Sequence, residues 1–186
     1  MTPDLVLLDR DGTLCAPARE TRYVRPQDAR LLPGAAEAVR ALNDAGVPVV
    51  VVTNQRGVAT RALSPADVDG VHDRLGAALA AAGAHLDGWY VCPHDVGQCR
   101  CRKPAPGLLE HALRDRPGSR PERCWVVGDA ESDVQAGADI GIPGVLLAPA
   151  RPHRTVAVAV MPDLSRAVPL ILGLRRRLRA PWVDSR

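Results

Sequence analysis

Short, fully apolar runs alternate along this chain with longer segments of helical periodicity, and each run ends on a cluster of polar residues. Parallel strands joined by crossover helices are covered on both faces and need apolar side chains at every position, so this alternation predicts a parallel sheet layered with helices. A first strand is expected at Leu5-Val6-Leu7-Leu8-Asp9. Ala35, Ala38, Val39 and Leu42 fall at helical spacing within 34–45, and Gly46 ends that helix before a second strand over 47–53. Ser64 and Pro65 supply an N-cap and a first-position proline for a helix running to about residue 82, ahead of a third strand over 86–91. A helix over 107–114, a fourth strand over 124–128 and a helix from Ser132 follow. Short strands over 143–147 and 156–160 and a last helix from Asp163 complete the pattern. The fold class expected is α/β, a doubly wound parallel sheet, with 1–186 as one domain.

Sheets of this kind bind ligands outside the carboxyl ends of their strands. Asp9 and Asp11 stand at the first such end, Thr53 and Asn54 at the second, and Gly128 and Asp129 at the fourth. A loop rich in cysteine and proline follows the third. Two carboxylates two residues apart on a chain that is still extended point to the same side and can share one site.

Within that loop, Cys92-Pro93-His94 and Cys99-Arg100-Cys101 form two pairs of ligand types, and three thiolates with one imidazole fill a tetrahedral Zn²⁺ shell with no open position. A structural zinc site on Cys92, His94, Cys99 and Cys101 is therefore expected, since ligands crowded into a Pro-rich loop are poorly suited to core packing. Of the 24 basic residues, Lys103 is the only lysine. In a chain that otherwise uses arginine throughout, a single compact ammonium beside the metal loop suggests a role that a planar guanidinium cannot fill. Arg102 next to it can fork onto an anionic group.

Taken together, Asp9-Arg10-Asp11-Gly12-Thr13, Thr53, Lys103, and Gly128-Asp129 with Asp133 resemble, in order and at the right strand ends, the four motifs of the haloacid dehalogenase superfamily of phosphohydrolases. The resemblance implies a Rossmann-like fold in which Asp9 attacks phosphorus and Asp11 serves as general acid and then general base. It implies Mg²⁺ held by Asp9, Asp129 and the backbone carbonyl of Asp11, with Asp133 helping or orienting Lys103. Thr53, Asn54, Arg102 and Lys103 would contact phosphate and substrate. The gaps of 39 residues between Thr13 and Thr53 and of 37 between Asn54 and Cys92 hold loops and helices, so no separate cap domain is expected.

The Cys-Pro-His and Cys-x-Cys-Arg-Lys-Pro blocks and Thr53-Asn54-Gln55 are similar to a branch whose members dephosphorylate heptose bisphosphates or histidinol phosphate. An arginine-rich rim (Arg56, Arg100, Arg102) suits a second phosphate and would repel the cationic amine of histidinol phosphate, so a sugar bisphosphate is favoured. The chain departs from heptose-type members at 57–61 and at Ala130.

The net charge of +3 comes largely from Arg175, Arg176, Arg177 and Arg179, and the five aromatic residues offer few stacking platforms, which argues against nucleic acid as a partner. A phosphoaspartate receiver domain would share the acidic residues, Thr and Lys, but gives Asp11 no task. No apolar run of about 18 residues is present and the amino terminus lacks the pattern of a signal peptide, so a cytoplasmic protein without membrane contact is expected, and a monomer.

Overall fold

The computed structural model describes residues 2–18 and 23–173. Among them, strands β1 (Leu5–Leu8), β2 (Val49–Asn54), β3 (Gly88–Cys92), β4 (Cys124–Gly128), β5 (Gly144–Leu147) and β6 (Ala159–Met161) form one sheet. Their order is β3-β2-β1-β4-β5-β6 and every neighbouring pair is parallel. Helices α1 (Ala35–Asp44), α2 (Arg56–Ala59), α3 (Pro65–Ala81), α4 (Gly107–Arg114), α5 (Glu131–Ala138) and α6 (Leu164–Ile171) make the crossovers and the end cover.

The strand residues are apolar at successive positions because both faces are packed. Val6 and Leu8 join Val49, Val51 and Val127 under Val39 and Leu42 of α1 and Val168 of α6. Leu5 and Leu7 point the other way, to Val50, Val52 and Val126 under Leu108 and Leu109 of α4. Truncating any of these leucines to alanine would cost about 2–5 kcal/mol through lost burial and the cavity left behind. The start of α3 is fixed as its sequence predicts: Ser64 Oγ accepts from Asp67 N and Asp67 Oδ2 accepts from Ser64 N, a reciprocal capping box.

Three strand starts shift by two residues or more, each for a local reason. Strand β2 starts at Val49 rather than 47, because Val47 N donates back to Leu42 O and closes the end of α1. Strand β3 starts at Gly88, two residues late, where the Asp87 carboxylate accepts from Val49 N and stands in for a strand carbonyl. Strand β6 begins at Ala159 rather than 156, since Val156 N is drawn to the Glu131 carboxylate at 2.8 Å. Helix α2 and the 3₁₀ turns Pro26–Asp28 and Pro121–Arg123 fall in segments read as loops.

Strand order reverses at β1, which has β2 on one side and β4 on the other, so the carboxyl ends of these strands surround the crevice where such sheets bind ligands. Among the described residues, the gap between Thr13 and Thr53 holds a 3₁₀ turn, α1 and most of β2, and the gap between Asn54 and Cys92 holds α2, α3 and most of β3. None of the described helices is long and apolar enough to cross a membrane, and the arginine run at 175–179 lies outside the described residues.

Candidate active site

Strand β1 delivers Asp9 to this crevice, and the loop that follows turns sharply at Gly12, whose φ of +93° favours glycine. A Cβ on Gly12 would also stand 2.1 Å from Asp129 Oδ2, so the missing side chain is what lets the carboxylate after β4 come up against the turn after β1. Gly128 works the same way: a Cβ there would lie 2.1 Å from Asp133 Oδ2. Two glycines thus allow the carboxylates of Asp9, Asp129 and Asp133 to gather around one point.

Lys103 sits among them, 3% exposed. Its Nζ donates to Asp9 Oδ1, to Asp133 Oδ1 and to the carbonyl of Val52, each at 2.7 Å, which occupies all three of its protons. Burial alone would lower the lysine's pKa, but the Asp9 and Asp133 carboxylates outweigh it and hold the ammonium charged well into the alkaline range. Burial pushes Asp9 up to about 7, against the pull of Lys103 and with a further push from Asp133. Asp129 is raised as well, by burial and then by Asp133.

Carboxylate oxygens of Asp9, Asp129 and Asp133 lie within 4.8 Å of one another. Three carboxylates, two of them buried, against one ammonium leave a surplus of negative charge, and a hard cation with oxygen ligands is what neutralises such a set. Asp133 Oδ2 accepts from Ala130 N at 3.1 Å while Oδ1 holds Lys103, so this residue is tied to orienting the lysine.

Asn54 ties the end of β2 to the lysine. Its amide is engaged at both ends with the backbone of Lys103, Nδ2 donating to Lys103 O at 3.0 Å and Oδ1 accepting from Lys103 N at 3.1 Å. The side chain, expected at the substrate, thus also clasps the backbone of the lysine. Thr53, buried at the end of β2, accepts at Oγ1 from Gln55 Nε2 at 2.8 Å, which leaves its own hydroxyl proton to donate. Arg102 Nη1 is buried without a hydrogen-bond partner, and its guanidinium lies close enough to Asp95 to lower that carboxyl's pKa. Arg56, expected on the rim, is instead paired with Asp95 through two hydrogen bonds, one of 3.1 Å.

Sequence reasoning gave no task to three residues around Asp11, two that bond it and a third that backs one of those two. Arg10, fully buried, forks onto Asp11 with two bonds of 2.9 Å. Gln55 Nε2 donates to Asp11 Oδ2 at 2.8 Å. His72 Nε2 lies 3.3 Å from Arg10 Nη1, and its ring stacks on Trp89 at 4.1 Å. Burial, then the Arg10 charge, pushes His72 down to about 4, so it is neutral and accepts. The signal available was a permanently charged residue inside an apolar strand end, which demands a buried anion nearby.

At the end of β3, Cys92, His94, Cys99 and Cys101 come together as expected. Neighbouring ligand atoms are 3.3–3.7 Å apart. A tetrahedral ion with thiolates at about 2.3 Å has ligand–ligand edges of about 3.7 Å, so the cluster has the size to hold a metal ion. Of the two remaining cysteines, Cys15 and Cys124 are both buried, and burial raises the thiol pKa of Cys124 to about 11.

Residues 16–141 match the family of haloacid dehalogenase-like hydrolases. The chain belongs to this family. A D-glycero-alpha-D-manno-heptose-1,7-bisphosphate 7-phosphatase of Mycobacterium bovis is 42% identical over 137 residues, which cover 73% of this chain and 72% of that protein. A D-glycero-beta-D-manno-heptose-1,7-bisphosphate 7-phosphatase of Bordetella bronchiseptica is 34% identical over 164 residues, 87% of this chain and 90% of that one. The crystal structure of the D,D-heptose 1,7-bisphosphate phosphatase from B. bronchiseptica, complexed with magnesium and phosphate, superposes with a TM-score of 0.84 at 30% identity over 94% of this chain and all of that one. Membership in the family accords with the parallel six-stranded sheet and with the position of the acidic cluster at its switch point.

Proposed function

We propose that this phosphatase removes the 7-phosphate of D-glycero-D-manno-heptose 1,7-bisphosphate through an aspartyl phosphate on Asp9, with Mg²⁺ and a structural Zn²⁺. The observation that carries the reading is Asp9 at the switch point, held by the buried Lys103 at 2.7 Å and backed by Asp129 and Asp133. Phosphate monoesters resist hydrolysis so strongly that enzymes supply up to about 10²¹-fold acceleration, and a covalent route divides the barrier in two.

Asp9 forms a bond to phosphorus as the bond to the sugar oxygen breaks, and the electron pair of that bond leaves with the oxygen. Asp11 gives that oxygen its proton. Asp11, now a carboxylate, then takes a proton from a water molecule that attacks phosphorus, freeing Asp9 and inorganic phosphate. Lys103 keeps the Asp9 carboxylate aimed and lends its charge to the phosphoryl group. Thr53 donates to a phosphoryl oxygen. Asp9, Asp129 and the backbone carbonyl of Asp11 would hold Mg²⁺, which supplies the neutralising charge that lets an anionic nucleophile meet a dianionic phosphate.

The donor set of Cys92, His94, Cys99 and Cys101 suits Zn²⁺, whose binding free energy becomes folding free energy for a loop with little core of its own. Cys101 lies two residues before Lys103, so the loop sets the lysine's approach. The Arg102 guanidinium, its Nη1 without a hydrogen-bond partner, supports a second anionic group on the substrate, which a sugar bisphosphate has and histidinol phosphate lacks. Histidinol phosphate is not favoured, because the curated relatives named above are heptose bisphosphate phosphatases.

Kinetics on both anomers of the heptose bisphosphate and on histidinol phosphate, run side by side with Mg²⁺, test the reading. A kcat/KM at least tenfold higher on one heptose anomer is expected. Preference for histidinol phosphate would overturn the substrate, and failure of fluoroberyllate to label Asp9 would overturn the intermediate.

A further inference from the structure

We propose that Arg10 is a positioning residue for the acid–base step, held by His72 and Trp89, and that it assigns the proton exchange of Asp11 to Oδ1. This rests on the reading of Asp11 as general acid and base given above. Arg10 is the largest fully buried side chain among the described residues, and its guanidinium meets three atoms of two residues. Nε and Nη2 donate to the two oxygens of Asp11, and Nη1 reaches His72 Nε2. The imidazole cannot swing away, because it lies flat on Trp89 with an interplanar angle of 14°. Helix α3 and strand β3 thereby set the plane of a carboxylate whose own backbone follows β1.

The two oxygens of Asp11 are not equivalent. Oδ2 accepts from both Arg10 and Gln55, and Gln55 ties the carboxylate to Thr53 at the end of β2. Oδ1 accepts from Arg10 Nε alone among the described residues. Each carboxylate oxygen has two lone pairs, so Oδ1 keeps one to carry the proton that passes to the leaving oxygen as the phosphorus–oxygen bond breaks. An Asp11 freed from the fork would rotate and lose the alignment on which proton transfer depends.

A buried ion pair that only stabilised the fold would affect every substrate alike. Loss of alignment at the general acid penalises only leaving groups that need a proton. The metal-loaded enzyme is therefore assayed for kcat/KM, which reports steps through formation of the phosphoenzyme, on a sugar phosphate and on p-nitrophenyl phosphate, whose phenolate leaves unprotonated. R10M is expected to lose about 100-fold on the sugar phosphate and no more than about fivefold on the aryl ester, within the range of acid–base contributions. H72F, which keeps the stacked ring and removes the acceptor, should lose about tenfold on the sugar phosphate alone, and H72Q, which restores an acceptor, should recover to within about threefold of wild type.

Equal losses on both substrates, or none, would overturn the proposal. Should R10M fail to fold by circular dichroism, the contrast between H72F and H72Q decides by the same criterion. D11N serves as the reference: a substrate-dependent loss in D11N without one in the Arg10 and His72 variants refutes the positioning role alone. Absence of that dependence in D11N itself refutes the acid–base reading and the inference with it.

Discussion

Lowering the pH should unfold this protein partly through one histidine. His72 is 8% exposed, stacked on Trp89 and faced by the Arg10 guanidinium, and burial followed by that charge pushes it down to about 4. In the unfolded chain an imidazole titrates at about 6.5. The folded state thus disfavours the proton, so the neutral ring's contribution is fully present above about pH 6.5 and is lost as pH falls from there toward about 4. Between about pH 7.5 and pH 5 the linkage relation gives a loss of about 2 kcal/mol, and the solvent that still reaches the ring edge screens this to about 1 kcal/mol. Urea unfolding followed by tryptophan fluorescence at the two pH values measures it, with H72Q as the partner experiment. Metal-ligand protonation affects both proteins equally and cancels in the difference. Wild type should lose about 1 kcal/mol more than H72Q over this interval. Identical losses would refute the argument that His72 is held neutral in the fold.

Three other perturbations address the lysine, the glycines and the cysteine loop. N54A removes two hydrogen bonds worth about 1 kcal/mol each, so kcat/KM should fall about 30-fold while circular dichroism stays unchanged. G128A drives a methyl group to within 2.4 Å of the Asp133 Cβ. A melting temperature lower by about 5 °C is expected there, together with activity loss through Lys103. C99S should bring zinc content, measured by mass spectrometry, below one ion per chain, and limited proteolysis should then cut within 92–101.

The sheet was legible in the sequence because both its faces are buried: β1 and the body of β2 appear as uninterrupted Leu and Val runs that only covered parallel strands tolerate, and β4 has Val126 and Val127 at its centre. Its ends were less so. Val47 and Val156 are apolar and adjoin strands, yet Val47 closes the end of a helix and Val156 bonds a carboxylate distant in sequence. The acidic residues, Thr53, Lys103 and the Cys/His ligands could be picked out because their chemistry and their place after strands coincide. What they touch could not. Asn54 was recognisable as a polar residue at a strand end, but its bonding to a backbone 49 residues away depends on how the loop before α4 folds. Likewise His72 and Arg10 are 62 residues apart, and only the packing of α3 beside β3 brings them together. Arg56 looked like a rim charge until Asp95, on the tip of another loop, was placed beside it.

The four clustered ligands also separate two kinds of sequence change. Residues 95–98 are bracketed by His94 and Cys99, and the chain leaves the knot at Cys101, two residues before the lysine. Length or composition can drift inside that bracket while the exit stays anchored. Changes within 95–98 should therefore leave Lys103 and the nucleophile it holds where they are, since that stretch and the lysine are insulated from each other by a single tether.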